Sequence, residues 1–387
     1  MLRTLRDLEV AGRRVLVRVD YNVPLQGERI LDDARLRESL PTLEYLLTHQ
    51  AKIILLSHLG RPAGKVVPEL RLDPIARRLA ELLGRPVTKL NDCIGPEVSR
   101  VLSQMRPGDI VLLENVRFYP QEEANDEGFA RELARLADCY VNDAFGAAHR
   151  AHASTYGVAK FLPAAAGLLL EREVTMLSRA TENPARPFIA IVGGAKLSDK
   201  IGVLKDLLGK VEAFLIGGAV AFTVIKARGG RVGSSLVDEK MLDEARQFLQ
   251  RVPETELILP VDAHVGRGGE RALVPADAIP DGWQAWDIGP QTIRLFQEQV
   301  RRAKTIVWAG PLGKFEEPPY DAGTRAVAQA IAASEAFAII GGGDTAAALH
   351  QAGLAHAKNI YCSTGGGAAL EFIGGRRLLP IEILKKS

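Results

Sequence analysis

Ile339-Ile340-Gly341-Gly342-Gly343-Asp344-Thr345 runs an apolar strand straight into three glycines, a carboxylate and a hydroxyl, an order suited to phosphate. Glycine lets backbone N–H groups approach an anion closely, a helix opening at Thr345 adds its positive dipole end, and Asp344 can reach a phosphate-bound Mg²⁺. Three glycines after a strand also make a tight helix-packing turn, so the motif gains meaning through repetition. Four more apolar runs of the second half end in glycine or in a residue type common in catalysis: FIAIVGGAK (Phe188 to Lys196), AFLIGGAVAF (Ala213 to Phe222), LILPVDAH (Leu257 to His264) and TIVWAGPLG (Thr305 to Gly313). Each reads as a buried parallel strand followed by a loop at its carboxyl end. In open parallel sheets those ends line the ligand crevice, so the glycine loops are expected to converge on a nucleotide.

The first half repeats the strand pattern but ends its runs in charged and polar residues. RVLVRVD leads to Asp20 and Asn22, KIILLSHLGRP to His58 and Arg61, DIVLLENVRF to Arg117, and CYVNDAFGAAHRAH to His149, Arg150 and His152. Arg35, where DDARLRESLP opens a helix, is expected to join them. A guanidinium grips phosphate or carboxylate oxygens through two parallel hydrogen bonds, so several on one face suit a small polyanion.

The bulk properties narrow the class. With 387 residues the chain is long enough for two domains, and 47% hydrophobic with 25% charged residues is ordinary for globular protein. The first 170 residues and the remainder each carry a net charge of +1, so neither half is a nucleic-acid-binding domain by bulk charge. Cys93, Cys139 and Cys362 are widely spaced and form no CxxC pair, which reads as reduced thiols without a disulfide framework or zinc site. MLRTLRDLEV lacks the apolar core of a signal peptide, and the longest apolar stretch, Phe161 to Leu170, is too short to span a bilayer; a cytoplasmic protein without a membrane partner is expected. Many Arg and Pro with few Cys and Met lean towards heat tolerance.

The expected architecture is α/β: two doubly wound, Rossmann-like parallel-sheet domains facing across a cleft and joined by an interdomain helix. The helix is assigned to Leu162–Ala180, and ENPARP (Glu182 to Pro187) ends it before the next strand. The domains are placed at 1–170 and 171–374.

Together, RVDYNVP (Arg18 to Pro24), SHLGRP (Ser57 to Pro62), ENVRF (Glu114 to Phe118), NDAFGAAHRAHAS (Asn142 to Ser154), GGAKLSDKI (Gly193 to Ile201), WAGPLGKFE (Trp308 to Glu316), GGGDTA (Gly341 to Ala346) and STGGGAALE (Ser363 to Glu371) resemble the phosphoglycerate kinase family, in order and over essentially the whole chain. The resemblance implies transfer of a phosphoryl group between 1,3-bisphosphoglycerate and MgADP, giving 3-phosphoglycerate and MgATP, in glycolysis or its reverse. It implies a monomer with hinge-bending closure, a first domain for phosphoglycerate onto which residues 375–387 return, and a second for the nucleotide. Asp20, Asn22, Arg35, His58, Arg61, Arg117, His149 and Arg150 are implied to hold phosphoglycerate. Lys196 and Lys200 are implied to meet nucleotide phosphates, Glu316 the ribose, and Gly193, Gly217, Gly218 and Pro311 the adenine side. Gly341, Gly342, Gly343, Asp344 and Thr345 form the implied phosphate loop, with Asp344 on Mg²⁺. Arg35, Lys196, Gly342 and Gly365 are the implied catalytic set.

One departure stands out: Ala309 occupies the position where the family pattern WNGP carries asparagine, so an amide hydrogen-bonding group near the nucleotide is lost. Lys314 stands where valine is common and adds a cation nearby. The chemistry itself needs no general base, because the groups exchanged are already anions at pH 7; positioning and charge neutralisation are what remains. A dinucleotide-dependent dehydrogenase would need GxGxxG early in a βαβ unit, which FIAIVGGAKLSDK does not supply. A catalytically dead nucleotide-binding regulator would be expected to lack Arg35, Lys196 or Asp344, and all three are present. Lys200 lies four residues after Lys196, so a helix beginning there would put both ammonium groups on one face.

Overall fold

Val15, Leu16 and Val17 are fully buried, as are Ile53 to Leu56, so these runs have no solvent face and must lie inside a covered sheet. The computed structural model, which describes residues 1–253 and 256–386, places them in adjacent parallel strands. Strand β1 (Arg14–Arg18) pairs with β2 (Lys52–Leu56) through Val15–Ile53, Leu16–Ile54 and Val17–Leu55. On its other side β1 pairs with β5 (Cys139–Asn142). With β3 (Thr88–Lys89), β4 (Ile110–Leu112) and β6 (Ala164–Ala166), the six-stranded order is β3-β4-β2-β1-β5-β6. The chain leaves β1 towards β2 and leaves β5 towards β6, so the winding reverses between β1 and β5. That is where a doubly wound sheet opens a ligand crevice.

The segment assigned to one long helix divides in two. Ala164–Ala166 is an edge strand paired with Tyr140, Val141 and Asn142, and helix α1 begins only at Leu168, running to Thr181. The cause is distant in sequence. The buried Asp143 carboxylate accepts the Leu169 and Leu170 N–H groups at 2.9 and 3.3 Å, capping the helix there. Gly167 passes so close to that carboxylate that any β-carbon would overlap it.

The chain separates within α1 into two compact units, one of Met1–Thr175 with the chain from Arg377 onward, the other of Met176–Arg376. The carboxyl-terminal segment is tied to the first unit: Arg3 N–H donates to the Leu384 carbonyl and Lys386 N–H to that of Met1, both at 2.8 Å.

In the second unit, β7 (Phe188–Val192), β8 (Ala213–Ile216), β9 (Leu257–Ile258), β13 (Thr305–Ala309), β14 (Phe337–Gly341) and β15 (Ile360–Cys362) form a parallel sheet in the order β9-β8-β7-β13-β14-β15. Its winding reverses between β7 and β13. LILPVDAH is not one parallel strand: Leu257–Ile258 pairs with β8, Pro260 interrupts, and the chain continues as β10 (Asp262–Arg267) in a separate antiparallel sheet with β11 (Glu270–Pro275) and β12 (Gln284–Ile288). Proline has no N–H for a central ladder, and β11, with one face in solvent, suits antiparallel pairing. This sheet has its own small core around Phe222, Ile225, Ala263, Val265 and Ile279.

The three cysteines are free thiols, two buried and Cys362 half-buried. Among the described residues no helix is long and apolar enough to cross a membrane.

Candidate active site

The carboxyl ends of β1, β2, β4 and β5 bring together most of the charged residues singled out in the first half. Asp20 follows β1, and its Oδ2 accepts from Arg35 Nη1 at 2.8 Å, the same nitrogen donating to the Asn22 carbonyl at 3.1 Å. Asn22 Oδ1 accepts the Gly60 N–H at 2.9 Å, and the Gly60 carbonyl takes Arg117 Nη1 at 2.8 Å. These bonds lock three separate loops and the start of the helix Ala34–Thr48 into one surface. Arg117 also pairs with Glu123 at 3.2 Å. Arg150 and His149 lie half-buried after β5, Arg150 near enough to Arg117 to lower its basicity after burial has done so. Arg61 is exposed and makes no hydrogen bond or ion pair among the described residues, so its guanidinium is available to a ligand.

A second layer went unread in the sequence. Arg18 is buried (1% exposed), donating from Nε to Ser154 Oγ at 2.7 Å and meeting His58 Nδ1 at 3.0 Å. Ser154 Oγ in turn donates to the fully buried Glu122 at 2.6 Å. An arginine inside an otherwise apolar strand was the available signal, because buried guanidiniums are almost always paired.

Charge in this cluster belongs to the arginines. Burial, then the charges of Arg18, Arg117 and Arg35, hold His58 well below the ordinary histidine range, and burial with Arg117, Arg18 and Arg150 brings His152 down to about 4. Both imidazoles are therefore neutral at pH 7 and act as hydrogen-bonding groups. The folded chain then binds fewer protons than the unfolded chain once the pH drops below about 6.5. Their contribution to stability is complete above that value and is lost as pH falls towards 4. Melting curves between pH 7 and 4.5 should show a loss of about 1–3 kcal/mol from His152, and His152→Gln should flatten it. An identical pH dependence in the variant would contradict a neutral buried imidazole.

In the second unit the glycine loops meet where the winding reverses. Gly193 N–H donates to the Ala309 carbonyl at 2.9 Å and Gly194 N–H to that of Pro311 at 2.8 Å, so the turns after β7 and β13 lie backbone against backbone. A β-carbon on Gly193 or Gly310 would overlap the other turn. Gly217 N–H donates to the Val192 carbonyl, and Gly218, at φ +60°, opens helix α2 (Gly218–Ala227). At the end of β14, Gly342 (φ +98°) precedes helix α3 (Gly343–Gln351), with open space over Gly343 and an exposed Asp344 in the first turn. Thr345 is buried, its hydroxyl accepting the Gly310 N–H at 2.7 Å and joining the β13 and β14 turns. Gly365 N–H donates to Ser363 Oγ at 3.1 Å, just before the short helix Gly367–Ile373. Ala309 is fully buried at the end of β13 and offers no side-chain donor.

The two lysines do not share a helix face. Lys196 is extended (φ −126°, ψ 128°), a 3₁₀ turn at Leu197–Asp199 follows, and the α-helix starts at Ile201. The backbone rises differently through the tighter turn, so the four-residue spacing does not align the side chains. Lys196 is exposed, whereas Lys200 lies along Gly194, and burial lowers its basicity against the opposing pull of Asp199 and Asp344.

These turns border a cleft of about 580 Å³ lined by Gly194, Gly218, Pro311, Glu316 and Asp344. Its apolar walls, Phe222, Leu236, Trp286 and Phe315, were not predicted. Trp286 arrives on the antiparallel sheet, whose position no local periodicity announces. The lining combines these apolar side chains with carboxylates, glycine turns and Lys314, which matches a base joined to phosphates.

The phosphoglycerate kinase family model matches residues 5–376. Phosphoglycerate kinases of Pelotomaculum thermopropionicum and Moorella thermoacetica are each 53% identical, over 99% and 97% of this chain and 98% and 97% of their own lengths. The solved phosphoglycerate kinases of Coxiella burnetii and Pyrococcus horikoshii superpose with TM-scores of 0.87 and 0.88 at 40% and 32% identity, each over 99% of this chain and over 99% and 98% of their own. Likeness of this extent runs through the arginine-bearing sheet and the glycine-bearing sheet alike, and the chain belongs to the phosphoglycerate kinase family.

Proposed function

We infer that the chain transfers the acyl phosphate of 1,3-bisphosphoglycerate reversibly to MgADP, giving 3-phosphoglycerate and MgATP, with phosphoglycerate on the first unit and nucleotide on the second. The observation that carries the nucleotide assignment is the cleft in which Glu316, Asp344 and the Gly194, Gly218 and Pro311 turns meet. Arg35, Arg61, Arg117 and Arg150 supply fixed positive charge to phosphoglycerate, while Asp20, Asn22, His58 and His149 orient it. Lys200 holds nucleotide phosphates, and a bound phosphate would restore the basicity that burial removes.

In the forward direction a β-phosphate oxygen of ADP attacks the acyl phosphorus as the bond from phosphorus to the carboxylate oxygen breaks. No proton moves, so the side chains need only align the two oxygens and neutralise three equatorial ones. Lys196 and Arg35 supply that charge, with the backbone N–H group of Gly342, while Gly365, bonded to Ser363, shapes the turn beside it. Two ligands held on different units must be brought to about 3–3.5 Å for in-line transfer, which requires hinge motion in the catalytic cycle.

Among the described residues no cluster of three or more His, Cys, Asp or Glu could hold a metal. A single exposed carboxylate at Asp344 suits Mg²⁺, which keeps its waters and substrate phosphates and takes one or two protein oxygens. Mg²⁺ would enter with the nucleotide, neutralising phosphate charge.

A coupled assay for ATP formation from ADP and enzymically generated 1,3-bisphosphoglycerate tests the activity. Calorimetry on the full chain tests the placement: Arg117→Ala should weaken 3-phosphoglycerate alone and Glu316→Ala MgADP alone. The reverse pattern would overturn it.

A further inference from the structure

The loop from Gly313 to Gly323 brings Lys314, Phe315, Glu316 and Glu317 to the cleft, and its two ends close on one buried side chain. Asp287, at the end of β12 and 1% exposed, accepts the Gly323 N–H at 2.8 Å through Oδ2 and the Ile288 N–H at 2.9 Å through Oδ1. Gly313 and Gly323 both approach its carboxylate so closely that a β-carbon on either would overlap it. Neighbouring bonds tighten the same neck: Lys314 N–H donates to the Trp286 carbonyl at 2.8 Å and Leu312 N–H to Thr324 Oγ1 at 2.9 Å.

We propose that Asp287 is a positioning residue for the nucleotide: by hydrogen-bonding the Gly323 end of the Gly313–Gly323 loop and packing against its Gly313 end, it sets Glu316 and Phe315 against the cleft before the nucleotide arrives. Burial, with the nearby Asp321 carboxylate adding, pushes its carboxyl up to about 7. A buried carboxyl costs solvation free energy that an apolar side chain of similar size would not, and its hydrogen bonds to the Gly323 and Ile288 N–H groups offset that cost. Asparagine has the same shape but one acceptor oxygen, so it cannot accept from both the Gly323 and Ile288 N–H groups, and the hold on Gly323, or on the end of β12 that carries it, is weakened.

The inference rests on the nucleotide occupying this cleft, and the test separates the two. In Asp287→Asn the KM for MgADP should rise roughly tenfold, the loss of one hydrogen bond at the neck, while the KM for phosphoglycerate and kcat at saturation stay within about twofold. Unchanged KM values, or a matched loss in both KM values and kcat, would overturn the proposal, the second outcome marking a general structural role. Glu316→Gln run alongside should also weaken MgADP. If it does not, the placement of the nucleotide fails and the proposal falls with it; if Glu316→Gln weakens binding and Asp287→Asn does not, the proposal alone fails. Should Asp287→Asn not fold, amide exchange in the unaltered ligand-free protein decides: protection of the Gly323 N–H comparable to β13 amides supports a closed neck, and rapid exchange there overturns it.

Discussion

Lys196→Ala should turn over roughly 10²–10³-fold more slowly at saturating substrates while binding MgADP almost normally, the pattern expected of an ammonium that meets charge developing only during transfer, the role proposed for it above. The structure sharpens this expectation. Lys196 is exposed on an extended stretch beyond Gly193 and Gly194, with no hydrogen bond or ion pair among the described residues. Nothing holds it in the resting protein, so little binding free energy is invested before the phosphoryl group arrives. Lys200, half-buried along Gly194 and electrostatically linked to Asp344, is the one placed to grip phosphates in the ground state. Lys200→Ala should therefore raise the KM for MgADP more than it lowers kcat. A Lys196→Ala enzyme with near-normal kcat and a raised KM would exchange the two roles.

Arg35→Ala should lower kcat/KM for phosphoglycerate by roughly 10³, equivalent to about 4 kcal/mol, with MgADP affinity unchanged. Among the described residues, hydrogen bonds engage only Nη1 of Arg35, shared between Asp20 and the Asn22 carbonyl. The remaining guanidinium N–H groups are left in a fixed plane for an anion. Arg35→Lys should rescue little, since an ammonium cannot bind Asp20 and clamp two oxygens at once. Asp20→Asn should cost less than Arg35→Ala, since the cation survives and only its orientation suffers. Activity within tenfold of the unaltered enzyme in Arg35→Ala would remove Arg35 from the transfer step.

The two sheets were legible in the chain because central parallel strands bury both faces and so read as unbroken apolar runs: Val15 to Val17, Ile53 to Leu56, Phe188 to Val192, Thr305 to Ala309. The residues directly after those runs were legible for the same reason. Strand ends in a doubly wound sheet converge, so Asp20, His58, Arg117 and Arg150 on one side and Gly193, Gly310 and Gly342 on the other could be grouped without knowing the connections. Spacing alone could not pair Lys196 with Lys200, since four residues imply a shared face only if the α-helix has begun, and the 3₁₀ turn at Leu197–Asp199 delays it.

What the amino-acid sequence determined by itself was the α/β class, the strand ends that carry chemistry, and the separation of an arginine-rich half from a glycine-rich one. Each is a property of contiguous residues. Only the tertiary structure decided where α1 begins, because its cap is Asp143 from another strand end. It also decided that His58 is neutral at pH 7, since that depends on burial and on Arg18, Arg117 and Arg35 converging from distant positions. Trp286 at the cleft and Asp287 at the neck of its loop belong to the same class: they arrive on an antiparallel sheet whose pairing depends on contacts between segments that no local pattern encodes.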